Sequence, residues 1–504
     1  MQRPTATTEL GTVRGSAQGG LRRFQGIPYA APPVGALRWR APMPAQSWSG
    51  VRDAVAPGPG CLQVGALQTA PGARFSEDCL YLNVLTPDEP APAHPWPVMV
   101  WIHGGAFVNG TGSDYDARRL VETGRVMVVT INSRLGAFGF FAYPGLEGAG
   151  VFGLQDQQAA LAWVRRNAAA FGGDPHNITL FGESAGGMST CAQLASPLAR
   201  TLFDKAIVQS GSCFLRWDRN MMQPGSPGYR PFAPLAEIEA RGVGVAQALG
   251  CGAGADALDC LRAVPAADLA AHWPSVQIPY GAALLPEDPV RAFEEGRFAR
   301  VPILWGGTQD EHRAYVSFWS SPDAVTDANY AELLTETFGD RASQVIERYP
   351  IGADGPAGAW AAVATDSSWS CPTLKSFEAA AKHTVVYAYD FADEDAPNPA
   401  FNLPAGFRYK AGHASELAYL FELGGRRAAF SDDQVKLADT MVRYWTQFAA
   451  TGDPNAPGSP AWSRFSDASA SVLALTTGLE GVAPFDFAAR HHCQLWNAVE
   501  RASP

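Results

Sequence analysis

The sequence FGESAGG, at residues 181–187, is the most informative segment of the chain. It contains the pattern G-x-S-x-G around Ser184, after an apolar run at 178–181 and before a helix-compatible run at 185–194. This order predicts a serine at a sharp strand-to-helix turn, where Gly182 and Gly186 relieve crowding. A serine placed in this way is a nucleophile that needs a base. The alternative is a glycine-rich turn with an idle serine, because five-residue patterns also occur by chance.

A second motif lies upstream and predicts a pocket for an oxyanion. The apolar run VMVWI at 98–102 indicates a buried strand, and HGGAF at 103–107 follows it. Small residues there allow the N–H groups of Gly105 and Ala106, together with that of Ala185, to approach a substrate oxygen. The alternative is a simple glycine turn after a strand. Two motifs in the order that an α/β hydrolase requires favour the pocket.

Further segments resemble the type-B carboxylesterase family, which includes the cholinesterases. The resemblance runs along nearly the whole chain, in FQGIPYA at 24–30, EDCLYLNV at 77–84, NSRLG at 132–136, FGGDP at 171–175 and CQLWN at 493–497. It implies an α/β-hydrolase fold, with a central, mostly parallel sheet flanked by helices. It also implies a serine hydrolase that cleaves carboxylic esters through an acyl-enzyme intermediate.

The resemblance implies the rest of a catalytic triad. It places the acid at Glu311 in GTQDE, with Asp310 as a structural neighbour, and the base at His413 in GHASEL. The resulting order of Ser184, Glu311 and His413 is that of α/β hydrolases. The alternative for each carboxylate is a solvated loop charge. The other histidines have no matching context, and we expect His312, which adjoins the acid, to point elsewhere.

The same resemblance implies groups around the triad. Glu183 is expected to add negative potential, and Ser210 and Glu416 to form a hydrogen-bonded pair behind the histidine. Two ion pairs, Arg38 with Glu77 and Arg134 with Asp156, are expected to hold loops. Aromatic side chains near the pocket segments of the family are candidates to contact substrate, although such residues are more often core: Phe107, Phe214, Trp217 and Phe318.

The chain has eight cysteines. The resemblance pairs Cys61 with Cys79, Cys251 with Cys260, and Cys371 with Cys493, and it leaves Cys191 and Cys213 as buried thiols. Three disulfides predict an oxidising compartment, so a secreted or periplasmic protein is expected. Residues 1–10 do not form a signal peptide, so a removed leader would have to be assumed. The alternative is a cytoplasmic enzyme with reduced, inherited cysteines.

The charge, apolar runs and motifs of the chain limit the classes of partner and cofactor that it is expected to bind. Among 504 residues, 38 basic and 49 acidic side chains give a net charge of −11, which disfavours nucleic acid and anionic membranes as partners. No run approaches the ~18 apolar residues of a membrane span. No metal, P-loop or dinucleotide motif occurs, so no cofactor or metal is expected. The partner is then a small-molecule ester, and the protein is expected to be a monomer or small homo-oligomer.

The motifs predict one hydrolase domain over residues 1–504. Helical insertions at about 212–300 and 315–408 are expected to form a lid and a second subdomain over the carboxyl edge of the sheet. Ala106 stands where the family's oxyanion loop has a third glycine, and its methyl group is expected to crowd the acyl side. Two alternatives stay open: an amidase or carbamate hydrolase with the same triad, and a non-catalytic cholinesterase-like binding protein.

Overall fold

The computed structural model describes residues 3–63, 72–89, 94–252, 254, 256–273, 275–318, 324–397, 407–466, 471–478 and 481–501. Its strands are β1 (Thr5–Thr8), β2 (Gly11–Arg14), β3 (Ser16–Gln18), β4 (Leu21–Pro28), β5 (Val51–Asp53), β6 (Gly60–Cys61), β7 (Phe75–Ser76), β8 (Tyr81–Pro87), β9 (Trp96–Ile102), β10 (Tyr115–Asp116), β11 (Met127–Ile131), β12 (Gly173–Glu183), β13 (Lys205–Gln209), β14 (Phe232–Pro234), β15 (Ile278–Tyr280), β16 (Ile303–Thr308), β17 (Val386–Phe391), β18 (Glu422–Leu423), β19 (Ser471–Leu475) and β20 (Ala483–Asp486).

Eleven of these strands form one central sheet, in the order β20-β19-β17-β16-β13-β12-β9-β11-β8-β4-β3. The seven strands from β19 to β11 run parallel, and the strands at both edges are antiparallel. Parallel strands need crossover connections, and here helices supply most of them and cover both faces of the sheet. The predicted mostly parallel α/β-hydrolase sheet is confirmed.

The helices pack on both faces of this sheet. Along β9, Val98, Val100 and Ile102 enter the core under the helices at Phe152–Asn167 and Ala185–Ala195. Met99 and Trp101 point the other way, into the core under the helices at Arg118–Gly124 and Asp432–Thr451. The helices are α1 (Arg118–Gly124), α2 (Gly136–Phe140), α3 (Phe152–Asn167), α4 (Ala185–Ala195), α5 (Leu235–Ala248), α6 (Ala257–Ala263), α7 (Ala266–Ala271), α8 (Pro289–Glu294), α9 (Arg313–Phe318), α10 (Tyr330–Phe338), α11 (Ala342–Arg348), α12 (Gly355–Ala364), α13 (Cys371–Ala381), α14 (Leu417–Leu420), α15 (Asp432–Thr451), α16 (Phe487–Arg490) and α17 (Cys493–Arg501).

The two expected insertions differ in structure. Residues 212–300 contain α5 to α8 and the two-stranded pair of β14 and β15. Residues 315–408 contain α10 to α13, but they also contain β17, which lies inside the central sheet. The range predicted for the second insertion is therefore wrong, because it includes β17, which is a strand of the central sheet. None of the helices in the described ranges combines the length with the hydropathy that a membrane span requires.

Three predicted disulfides are confirmed, and one prediction is wrong. Cys61–Cys79, Cys251–Cys260 and Cys371–Cys493 are bonded. The two residues expected to be thiols, Cys191 and Cys213, are bonded as well, with a Cα–Cα separation of 5.8 Å. Cys191 lies on α4 and Cys213 follows β13. Because β12 and β13 are adjacent parallel strands, the helix after one lies beside the chain that leaves the other.

Both predicted ion pairs form and hold loops to the domain. Arg134 binds Asp156 through two side-chain bonds of 2.7 Å, and both side chains are buried. Arg38 binds Glu77 in the same bidentate way, at 2.6 and 2.8 Å. Such fork geometry fixes orientation as well as charge. Removing one partner of the buried pair would leave an uncompensated charge, which costs about 3–5 kcal/mol.

Candidate active site

Ser184 occupies the turn between β12 and α4. Its backbone has φ 57° and ψ −121°, a conformation that costs an L-residue on the order of 1–3 kcal/mol. The flanking glycines are required because a Cβ on Gly186 would lie 2.0 Å from the carbonyl oxygen of Ile102. A hydrogen bond from the Ser184 N–H to the Gln209 carbonyl, 3.0 Å long, holds the turn to β13. The predicted sharp strand-to-helix turn is confirmed.

Glu311 and His413 meet beside this turn although 101 residues of chain lie between them. Glu311 Oε2 lies 2.6 Å from His413 Nδ1, and both residues are buried. The other carboxylate oxygen accepts a bond of 2.9 Å from the Thr308 N–H, which anchors the acid to the end of β16. A backbone bond of 3.2 Å from His413 to the Glu311 carbonyl joins the two loops. The imidazole is therefore oriented by a fixed carboxylate.

The second ring nitrogen of His413 faces another carboxylate. Nε2 lies 3.1 Å from Glu183 Oε1, in an orientation that is not that of a hydrogen bond. Within the described part of the chain Nε2 has no hydrogen-bond partner, so the bond to Ser184 is not formed in this state. Free enzymes often leave such a contact open until substrate arrives.

Three carboxylates surround the imidazole and shift its titration. Burial alone would lower the pKa of His413, but the negative charges of Glu183, Glu311 and Glu416 more than offset it and raise the pKa to about 9. Burial also raises the pKa of Glu183, with Glu416 and Glu311 adding to the shift. The same causes, burial and Glu311, raise the pKa of Glu416. The site thus favours a protonated imidazole.

The loop after β9 lies against the nucleophile. A Cβ on Gly104 would be 3.2 Å from Ser184 Cβ, and one on Gly105, at φ 109°, would be 2.2 Å from the Asn109 carbonyl oxygen. Ala106 adopts the left-handed region at φ 53°. The N–H groups of Gly105 and Ala106 donate to no described residue. Two free donors therefore lie in a loop beside Ser184.

The expected pair behind the histidine is not formed. Ser210 Oγ and Glu416 Oε2 have no hydrogen-bond partner among the described residues. Glu416 Oε1 instead accepts a bond of 3.1 Å from the Gln209 side chain, which is itself held by Trp445 at 3.0 Å. This prediction is wrong because the neighbouring amide of Gln209, not the hydroxyl of Ser210, reaches the carboxylate.

The four pocket candidates have different positions. Phe107 is buried, with its ring 5.1 Å from that of Phe140, and Phe214 packs 6.4 Å from Phe293. Trp217 is buried behind Trp369, with ring centroids 4.9 Å apart. The side chain of Phe318 lies outside the described residues. None of the three described rings contacts the His413 ring.

Sequence reasoning missed the rings that do contact His413. Trp369 lies 4.8 Å from the His413 ring and Tyr315 lies 5.5 Å from it. His312 is buried and stacks on Tyr315 at 5.1 Å. Tyr315 could have been predicted from its position four residues after Glu311, because one helical turn brings residues at this spacing close together. Trp369 had none, because it comes from a distant π-helical turn at Thr365–Ser370.

Comparison with known proteins places this chain in a family. The sequence model described as "Carboxylesterase family" matches residues 2–496. The chain belongs to the carboxylesterase family. This carboxylesterase is 37% identical to a para-nitrobenzyl esterase of Bacillus subtilis (strain 168) over 472 residues, which cover 90% of this chain and 91% of that protein. It is therefore a carboxylic-ester hydrolase.

Other relatives agree with this assignment. The carboxylesterase is 35% identical to a fumonisin B1 esterase of Sphingopyxis macrogoltabida over 91% of this chain and 84% of that one. It is 34% identical to a cocaine esterase of Homo sapiens over 92% and 86%. The solved structure of a thermophilic pNB esterase superposes with a TM-score of 0.81 at 33% identity, and the match covers 98% of this chain and all of that one.

Proposed function

We propose that this carboxylesterase cleaves small-molecule esters through an acyl-enzyme on Ser184. His413 serves as the general base and Glu311 as the acid that orients it. One observation carries the proposal: the 2.6 Å contact of Glu311 Oε2 with His413 Nδ1, beside a serine on a strained turn. A carboxylate bound at Nδ1 leaves Nε2 as the ring nitrogen that can accept the proton of a nucleophile.

The reaction then proceeds in two halves. His413 takes the proton of Ser184 as Oγ attacks the ester carbonyl, and the N–H groups of Gly105, Ala106 and Ala185 bind the oxyanion. Preorganised donors of this kind contribute about 2.7–4 kcal/mol each. The imidazolium protonates the leaving alcohol. A water activated by His413 then attacks the acyl carbon, and the acid is released as Oγ regains its proton.

Glu183 acts on His413 through its charge. Because it lies 3.1 Å from Nε2, it stabilises the imidazolium that forms when the serine loses its proton. It also raises the pKa of His413 in the free enzyme, so the same contact reduces the fraction of neutral base near pH 7.

The helical insertions bear on substrate specificity, and the disulfides bear on the cellular compartment. We infer that residues 212–300 and those of 315–408 outside β17 set the shape of the pocket over the carboxyl edge of the sheet. Relatives are named for para-nitrobenzyl, fumonisin B1 and cocaine esters, which differ widely in shape. Four disulfides favour an oxidising compartment, so we infer a secreted or periplasmic enzyme.

The proposal is tested by covalent labelling. An organophosphate is expected to modify Ser184 alone and to abolish hydrolysis of para-nitrophenyl acetate, with the site located by mass spectrometry. Ser184→Ala should stay folded and lose labelling and turnover together. Ser189→Ala, one helical turn along α4, is the matched control and should keep both. A label on any other serine that accompanies loss of activity would overturn the assignment.

A further inference from the structure

Arg313 joins the segment that carries the acid to the segment that carries the base. It is the first residue of α9, two positions after Glu311, and its side chain is buried. Its Nε–H donates a hydrogen bond of 2.7 Å to the carbonyl oxygen of Arg408, which lies five residues before His413. A side chain that is anchored beside the acid therefore holds the backbone of the loop that carries the base.

The guanidinium of Arg313 is fixed by two further contacts. Its Nη1 lies 3.2 Å from Asp354 Oδ2, at the N-terminus of α12, and its Cζ lies 4.7 Å from the centroid of the Phe407 ring. The same Asp354 oxygen lies 3.1 Å from Lys410 Nζ, so one carboxylate binds both Arg313 and the loop of the base. Because a guanidinium presents its N–H groups in a rigid fork, these contacts also fix the direction of Nε–H.

The loop at residues 407–414 needs such support because its backbone is strained. Lys410 has φ 53° and Ala414 has φ 69°, so a residue other than glycine adopts the left-handed region on each side of His413. Each residue of this kind costs on the order of 1–3 kcal/mol and persists only where surrounding contacts fix it. The conformation that presents His413 therefore depends on contacts from outside the loop.

Backbone hydrogen bonds hold the C-terminal half of the same loop. The Asp310 N–H donates to the Ala411 carbonyl at 2.9 Å, and the His413 N–H donates to the Glu311 carbonyl at 3.2 Å. The bond from Arg313 holds the loop nearer its N-terminal end. A loop that is fixed at both ends has fewer ways to turn the imidazole away from the carboxylate.

We propose that Arg313 is a positioning residue of the triad, which fixes the loop at 407–414 so that His413 Nδ1 lies 2.6 Å from Glu311 Oε2. It acts through the placement of His413 and takes no part in proton transfer. Misplacement of a catalytic group by about 1 Å can cost about 10²-fold in rate, so a bond that sets this placement matters for turnover. The inference rests on the proposed function, because it takes Glu311 and His413 as the acid and the base.

The test separates the hydrogen bond of Arg313 from its charge. Arg313→Gln removes the charge but carries an amide N–H at the same distance along the side chain as Nε–H, whereas Arg313→Met removes both. With para-nitrophenyl acetate, we expect kcat to fall about 10- to 100-fold in the Met variant and to stay within about threefold of wild type in the Gln variant. Arg313→Lys keeps the cation but has a methylene group in place of Nε. It should resemble the Met variant, and it replaces that variant if the Met protein does not fold.

The same substitution in a Glu311→Gln enzyme shows whether Arg313 acts through the contact of acid and base. If it does, Arg313→Met should lower kcat there by less than about threefold, because the contact that it supports is already impaired. A merely structural role would lower kcat by the same factor in both proteins. Single and double variants are compared as kcat per folded molecule.

Arg165→Met is the matched control. Arg165 also joins a backbone carbonyl to a carboxylate, with Pro175 O at 2.8 Å and Asp204 Oδ2 at 3.3 Å, but it does so at the opposite end of β12 from Ser184. Its loss should leave kcat of the folded enzyme unchanged. The inference is wrong if the Met or Lys variant of Arg313 keeps the wild-type kcat, if the Gln variant is as slow as the Met variant, or if the loss is equal in the Glu311→Gln enzyme. A fully active Glu311→Gln enzyme would instead contradict the proposed function.

Discussion

Two buried histidines in this molecule are held by carboxylates in nearly the same way. His413 lies 2.6 Å from Glu311 and 3.1 Å from Glu183. His491, between α16 and α17, lies 2.6 Å from Asp366 and 3.4 Å from an Asp390 oxygen. In both cases burial lowers the pKa and the carboxylates more than offset it, so the pKa is raised, to about 9 for the first histidine and to about 10 for the second.

The difference between the two lies in what each cluster joins. His491 connects the C-terminal helices to β17 and to the π-helical turn, where Tyr349 and Trp496 extend its hydrogen-bond network. His413 lies beside a serine on a strained turn and beside a loop with free N–H groups. A histidine–carboxylate pair is thus not by itself a catalytic signature, because a nucleophile and oxyanion donors must also be within reach.

Replacing each histidine should separate the two roles most clearly. His413→Ala is expected to lower kcat by about 10⁵- to 10⁶-fold, as removal of a triad member does, while the protein stays folded. His491→Ala leaves two buried carboxylates without their cation and should cost about 3–5 kcal/mol of unfolding free energy. Activity per folded molecule and urea unfolding measure the two effects. Equal loss of activity in both folded variants would contradict the distinction.

The carboxylates can be compared in the same way. Glu311→Gln should lower kcat by roughly 10²- to 10⁴-fold, because the amide orients the imidazole less well and does not stabilise its charge. Asp366→Asn should leave kcat near that of the wild type and lower the unfolding free energy instead. Asp310→Asn serves as the neighbour control for the acid. If Asp310→Asn were inactive and Glu311→Gln remained active, Glu311 would not be the acid of the triad.

The stability contribution of His491 should fall with pH. Its folded pKa of about 10 lies above the unfolded value of about 6.5, so the contribution is fully present below pH 6.5 and is lost as pH rises toward 10. The difference in unfolding free energy between wild type and His491→Ala should therefore shrink between pH 6.5 and 10. Urea titrations at several pH values test this. A difference that grows with pH would contradict the ion-pair interpretation.

The activity that depends on His413 should show the opposite trend. The base must be neutral to act, so kcat/KM for a neutral ester should rise with pH through an apparent pKa above 6.5. Glu183→Gln removes one negative charge next to Nε2 and should move this rising limb to lower pH. The pH profiles of the two proteins give the shift. An unmoved limb would mean that Glu183 does not control the titration of the base.

The smallest expected effect concerns Ala106. Alanine at φ 53° is strained, whereas glycine adopts this region freely, so Ala106→Gly should stabilise the folded protein by up to about 1 kcal/mol. Removal of the methyl group should also widen tolerance for long acyl chains. Thermal unfolding and kcat/KM for para-nitrophenyl esters of increasing acyl length measure the two changes. A stabilised variant with an unchanged acyl profile would place the methyl group away from the acyl chain.

Local patterns predicted more of the site than of its surroundings. Ser184 and the glycine loop were found because turns and close backbone approaches demand particular residues at fixed spacing. Glu311 and His413 came from resemblance to a family, and the structure brings them together. Three contacts were not predicted: the disulfide between Cys191 and Cys213, the hydrogen bond from Gln209 to Glu416, and the packing of the Trp369 ring against the His413 ring. Each of these contacts depends on which segments the strand order of the sheet brings side by side.

The strand-to-helix turn at Ser184, the buried strand before the glycine loop and the fold class were predictable from the sequence alone. These depend on backbone geometry and on the period of hydrophobic residues, which are local properties of the chain. The role of His491, which two carboxylates hold between the C-terminal helices and the sheet, became visible in the folded protein alone. The reason is that a buried charge takes its role from groups distant in sequence, and their positions are set only when the whole sheet and its helices have packed.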